Sequence, residues 1–237
     1  MNLKVSKEKI QANTNQDKGC ILAKGFFPAK PSIDSTLASC TYLPECKSVG
    51  TITAEQIHVQ LKKLKPYKAP GPDSILNIVL TKSTNLIIER LMHIYQAMFK
   101  GRLMYKPWKE FVTVVLRKPG KPRYNTPKAY RPIALLNIIW KVVTAIIANH
   151  ITYIMEKHQL LPANHFGGRP EHTTANAMHL LTNKVKAAWR AGKVIAILFL
   201  DIEGAFLNAN LEWLVHNLRK WRVLAVYTKF VHNMLRD

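Results

Sequence analysis

Val194-Ile-Ala-Ile-Leu-Phe-Leu-Asp-Ile-Glu-Gly-Ala-Phe-Leu-Asn-Ala209 is the stretch around which the chain is organised. Seven apolar residues, Val194 to Leu200, run unbroken into Asp201, between Gly192-Lys193 and Gly204. A run of that length with those bounds predicts a strand buried on both faces. Desolvating an unpaired carboxylate is costly, so an aspartate closing such a strand calls for a cation, a metal or hydrogen-bond donors. Turned toward solvent, the same residue needs none of these.

The 237 residues can bury a sizeable core as one domain or two. Their 35 Lys plus Arg against 14 Asp plus Glu leave a net charge of +21, more than solubility requires, and nucleic acid is the complementary partner. The positives are scattered between apolar segments rather than gathered on one amphipathic helix, which argues against a membrane surface. Cys20, Cys40 and Cys46 form no closed disulfide set, no Cys-x-x-Cys occurs and the nine His are dispersed, so structural zinc is not expected. The opening residues have no apolar secretion core, and the apolar runs are too short to span a bilayer. An intracellular protein of the nucleus or cytoplasm is expected.

Residues 1–50 alternate polar runs with Pro28, Pro31 and Pro44 and read as a loosely ordered leader or linker. Thr53-Ala-Glu-Gln56 fits a capping box, with Ile57, Leu61 and Leu64 at helical spacing until Pro66. Lys65-Pro-Tyr-Lys-Ala-Pro-Gly-Pro-Asp73 is a rigid loop whose Lys65 and Lys68 could touch a phosphate backbone, although such loops more often simply join helices. Residues 74–100 form one or two helices closed by Gly101. Phe111 to Arg117 alternates and is β-branched, Lys118-Pro-Gly-Lys121 turns the chain, and Tyr130 to Asn137 follows as the partner strand of a hairpin. Leu136, Ile139, Trp140, Val143, Ile147, Ile151 and Ile154 then define a long core helix. After Asn164-His-Phe-Gly-Gly-Arg-Pro170, Thr173 or Thr174 caps a helix carrying Met178, Leu181, Val185 and Trp189. Asn210 caps another, and 223–235 is a further apolar-periodic segment.

Four blocks in this order resemble the reverse transcriptases of non-LTR retrotransposons: Lys-Ala-Pro-Gly-Pro-Asp; Lys-Pro-Gly-Lys with Tyr-Arg-Pro-Ile; Phe-Gly-x-Arg-Pro with Thr-Thr; and Asp-x-x-x-Ala-Phe after an apolar strand. The resemblance covers residue 50 onward. It implies a helix-rich α/β (α+β) chain, the fingers and partial palm of a right-hand polymerase fold. Its parts would be a leader at 1–50, a helical extension at 51–103, fingers at 104–192 and an incomplete palm at 193–237. By the same resemblance Asp201 is the catalytic aspartate and binds magnesium, and Phe206 lies under the sugar of the incoming nucleotide. Arg131 and Lys118 would hold its triphosphate, a task that suits the guanidinium fork. Lys65, Lys68, Lys121 and Arg169 would face nucleic acid, while Glu171, where a small residue is usual, would weaken phosphate binding. The implied partners are an RNA template, a DNA primer and dNTPs.

Two-metal nucleotidyl transfer needs carboxylates bridging ions about 3.5–4 Å apart. The family supplies the remaining ligands from a Tyr-x-Asp-Asp hairpin, and these 237 residues contain none. After Pro170 the carboxylates are Glu171, Asp201, Glu203, Glu212 and Asp237, with no adjacent acidic pair. The expectation is therefore a fragment of such an enzyme, inactive alone. The alternatives are a non-enzymatic basic protein that binds RNA or DNA through the fingers, or the product of a decayed element.

Overall fold

The computed structural model describes residues 14–28, 40–46, 50–101, 104–202, 204–205 and 208–236. Helix α1 (Asn15–Phe26) is followed by α2 (Ala54–Lys62), α3 (Asn77–Lys82), α4 (Thr84–Gly101) and the single turn α5 (Lys106–Lys109). The antiparallel strands β1 (Phe111–Arg117) and β2 (Tyr130–Leu136) come next, then α6 (Ile138–Lys157), α7 (Thr174–Arg190), α8 (Leu211–Lys220) and α9 (Ala225–Leu235). The chain is thus mixed, largely helical, with one small two-stranded sheet among the described residues.

The caps legible in the sequence are made. Thr53 and Gln56 close a reciprocal capping box on α2, the Thr173 hydroxyl accepts from Asn176 N–H on α7, and Asn210 accepts from Glu212 and Trp213 N–H on α8. Residues 74–100 resolve into two helices, and Thr84 donates its hydroxyl to the Leu80 and Thr81 carbonyls at the junction.

Helix α6 is the centre of the core. Ile138, Trp140, Val142, Val143, Ile146, Ile147 and Ile154 are buried, packed with Ile57 and Leu61 of α2, Tyr95 of α4, and Tyr227 and Phe230 of α9. Its length and mean hydropathy would allow a membrane crossing, but here it is the interior of a folded body. One polar chain runs through that interior. The Gln56 carbonyl accepts from Thr53 N–H, so its amide donates to His150 Nε2 at 2.8 Å. His150 must then carry its proton on Nδ1, which donates to the Tyr227 hydroxyl at 3.0 Å. A second cluster lies apart, where Ile21 and Phe26 of α1 pack on Ala129 and Tyr130 at the base of the hairpin.

The expectation for Val194–Leu200 is overturned. The segment forms no strand and is largely exposed, Val194 at 99 % and Phe199 at 78 %. A strand exists only where a neighbour takes its backbone hydrogen bonds, and the single described sheet, β1 with β2, provides none to this segment. Within the stretch read as a leader, α1 is a regular helix, started by a capping box between Thr14 and Asp17. Residues 40–46 also dock. Arg222 Nε donates to Pro44 O, Cys46 N–H donates to Arg222 O, and Tyr42 meets His216 of α8 at 3.0 Å.

Candidate nucleotide and nucleic-acid site

The β1–β2 hairpin displays most of the expected phosphate ligands. Its register sets Leu116 opposite Arg131 and Arg117 opposite Tyr130, with the Arg131 side chain on the exposed side. Beyond the strands the turn is fixed by its own side chains. Tyr124 donates its hydroxyl to Lys118 O, Tyr130 donates to Tyr124 O, and the Arg117 guanidinium lies 5.1 Å from the centre of the Tyr124 ring. Gly120 takes a positive φ of 71° at the tip, beside the exposed Lys121. Lys118 is less free than Arg131: its ammonium donates to Lys128 O at 2.8 Å and its backbone N–H to Ala129 O. It closes the neck of the hairpin, and a phosphate would have to displace that bond.

The loop bearing Lys65 and Lys68 is held against the foot of β2. Asn77 Nδ2 donates to Lys65 O at 2.6 Å, and Asp73 N–H donates to the side chain of Asn137. The Asn137 amide donates in turn to Pro107 O. A Cβ on Gly71 would lie 2.6 Å from Asn137 N, so only glycine lets the loop approach this closely. Buried Asn137 therefore ties the loop, α5 and the β2–α6 junction together. Lys65, Tyr67 and Lys68 stay exposed on this platform, Tyr67 at 88 %. The sequence offered a faint sign of Asn137, an amide between a strand and a long helix, but no sign of its two partners.

Arg169 is engaged elsewhere. Its guanidinium meets Glu156 with two bonds, Nε to Oε1 at 2.8 Å and Nη2 to Oε2 at 2.7 Å, and Nη1 donates to Pro162 O and His165 O. The expected nucleic-acid ligand thus fastens the 160–172 loop to the end of α6. Hydrogen bonding to Arg169 holds the Glu156 carboxyl below its ordinary pKa. Glu156 was not singled out in the sequence, since its spacing of 13 residues from Arg169 belongs to no local motif.

Asp201 is exposed near the end of the irregular 193–202 segment, and no hydrogen bond or ion pair joins it to Arg131. Phe206 and Glu203 lie outside the described residues. Among the described residues no group of three His, Cys, Asp or Glu side chains could hold a metal ion. Among the described residues Asp201 therefore has no second carboxylate beside it, and magnesium takes several oxygen donors.

A basic hairpin, a basic aromatic loop fixed to its foot and an aspartate on a separate irregular segment are parts suited to polyphosphate and nucleic acid. A family model described as "Reverse transcriptase (RNA-dependent DNA polymerase)" matches residues 116–236, just over half of the chain, and the chain belongs to that family. Its relatives are RNA-directed DNA polymerases of non-LTR transposons. A "Probable RNA-directed DNA polymerase from transposon BS" of Drosophila melanogaster is 32 % identical over 172 residues, 73 % of this chain and 19 % of that protein. The corresponding X-element protein of the same organism is 37 % identical over 141 residues, 59 % of this chain and 15 % of the relative. An RNA-directed DNA polymerase from mobile element jockey of Drosophila funebris is 26 % identical over 203 residues, 86 % and 22 % of the two chains. This chain therefore spans about a fifth of the length of the relatives it matches.

Proposed function

We propose that these residues supply the fingers and the first palm segment of an RNA-directed DNA polymerase, which extends a DNA primer with dNTPs on an RNA template. The observation that carries the reading is the family match over 116–236, a range that contains β2, the hairpin turn and Asp201. The exposed apolar segment before Asp201 supports it, because such a run becomes stable only when further strands pair with it and cover its faces. In this reading Arg131 meets the triphosphate, joined by Lys118 once it leaves Lys128 O, while Lys65, Lys68 and Lys121 meet the nucleic-acid backbone, Phe206 the sugar, and Asp201 the magnesium. Other carboxylates must join Asp201 before the site is complete.

The 237 residues on their own are then expected to bind single-stranded RNA or DNA with little sequence preference and steep salt dependence, and not to extend a primer. Primer extension with the purified chain, and with a fusion to a relative's palm segment bearing Tyr-x-Asp-Asp and its thumb, tests this. Activity should emerge only in the fusion and vanish in Asp201→Asn. Extension by the unfused chain would show that a nearer carboxylate, Glu203 first, completes the site. A folded fusion that stays silent while binding nucleic acid would favour the non-enzymatic reading, to which the charge of +21 also lends itself.

A further inference from the structure

Helix α7 buries none of its 17 residues. It contains no Asp or Glu, and the whole stretch from His172 to Leu200 is free of acids while holding Lys184, Lys186, Arg190 and Lys193. His179, Asn183, Lys186 and Arg190 recur at intervals of four, three and four residues, so they share one side of the helix as a ridge whose successive Cβ atoms lie about 5–6 Å apart. All four are exposed, and no carboxylate among the described residues pairs with either cation of the ridge. Trp189 flanks the ridge and is 67 % exposed, an unusual setting for a large ring with one polar edge.

Several cations elsewhere in this chain have an internal acceptor. Arg169 is taken by Glu156, Arg222 by Pro44 O, Lys118 by Lys128 O and Lys109 by Asn233 O. Among the described residues the ridge has no internal partner of this kind, and the Thr173 hydroxyl caps the start of the helix. A row of donors without acids, spaced regularly along one helix and bordered by an aromatic face, complements a row of phosphates carrying bases that can stack.

Resting on the nucleic-acid-binding reading above, we propose that the His179–Asn183–Lys186–Arg190 ridge of α7, with Trp189 beside it, is a binding surface for the sugar-phosphate backbone of a single nucleic-acid strand.

The test compares the full chain with Lys186→Gln/Arg190→Gln, and with Lys62→Gln/Lys63→Gln as a control that removes equal charge from exposed positions at the end of α2. Binding of a labelled single-stranded RNA is followed by anisotropy from low to moderate salt. Losing two phosphate contacts should lower the salt slope by about 1.4 and weaken binding roughly tenfold at low salt. The control should change the slope by less than half of that, and Lys186→Arg/Arg190→Lys should restore it. Trp189→Ala should weaken binding without changing the slope. Equal losses in the α7 and control variants would reduce the effect to net charge and overturn the ridge while leaving the nucleic-acid reading intact. An unbound wild type at low salt would overturn both. A variant that loses only its binding to anionic phospholipid vesicles, with RNA binding unchanged, would reassign the face to a membrane surface.

Discussion

Glu156 on α6 and Arg169 in the loop before α7 form a two-pronged ion pair with bonds of 2.8 and 2.7 Å. The pair spans the break between two helices and organises the loop that carries Phe166, Gly167 and Gly168. Because Arg169 lowers the folded-state pKa of Glu156, the stabilisation is present above the unfolded carboxylate value and is lost as pH falls from there through the lower folded value. Urea midpoints should therefore decline from about pH 5 toward pH 3, and Glu156→Gln should remove part of that decline. An unchanged acid profile in the variant would show the pair to be idle.

His150 gives a dependence of the opposite chemical origin. It is 4 % exposed, and burial lowers its pKa, so the folded protein keeps it neutral where an unfolded chain would take up a proton. Stability should be full above about pH 6.5 and fall as pH drops below that value. Tyr227→Phe removes the acceptor of the His150 Nδ1 proton and should cost about 1–2 kcal/mol in urea titration. A smaller loss would mean that water or another group replaces the hydroxyl.

Gly71→Ala should destabilise by about 1–3 kcal/mol, since the new methyl meets the backbone of Leu136 and Asn137 at 2.6 Å and neither can retreat alone. The comparison is Gly167→Ala, where a Cβ meets nothing within 4 Å and the φ is ordinary. Similar thermal midpoints for the two variants would refute the close approach of the Lys65–Asp73 loop.

Glu171 occupies a left-handed conformation, φ 61°, which disfavours any residue with a Cβ. Glu171→Gly should raise stability by about 0.5–1 kcal/mol, the relief of strain exceeding the added freedom of the unfolded chain. Glu171→Gln keeps the strain and should leave stability nearly unchanged. Both should tighten nucleic-acid binding slightly by removing a negative charge, which anisotropy at low salt would reveal.

The local features of this chain were determined by short-range chemistry and could be read directly. Thr53, Thr173 and Asn210 cap their helices with atoms two or three residues away, and the β-branched run Phe111–Arg117 pairs with the strand that its own turn brings back. The apolar period from Ile138 to Ile154 likewise marks the helix that fills the core. The order of the motifs along the chain was enough to name the family, whose model matches residues 116–236. Tertiary structure decided whatever depends on a distant partner. Asn137 became the joint of three segments only because Asp73 N–H and Pro107 O arrive beside it, and Arg169 became a fastener because Glu156 stands opposite. The run from Val194 to Leu200 shows the same limit: its composition suits a buried strand, but a strand is a relation between chains of hydrogen bonds, and no described neighbour completes it.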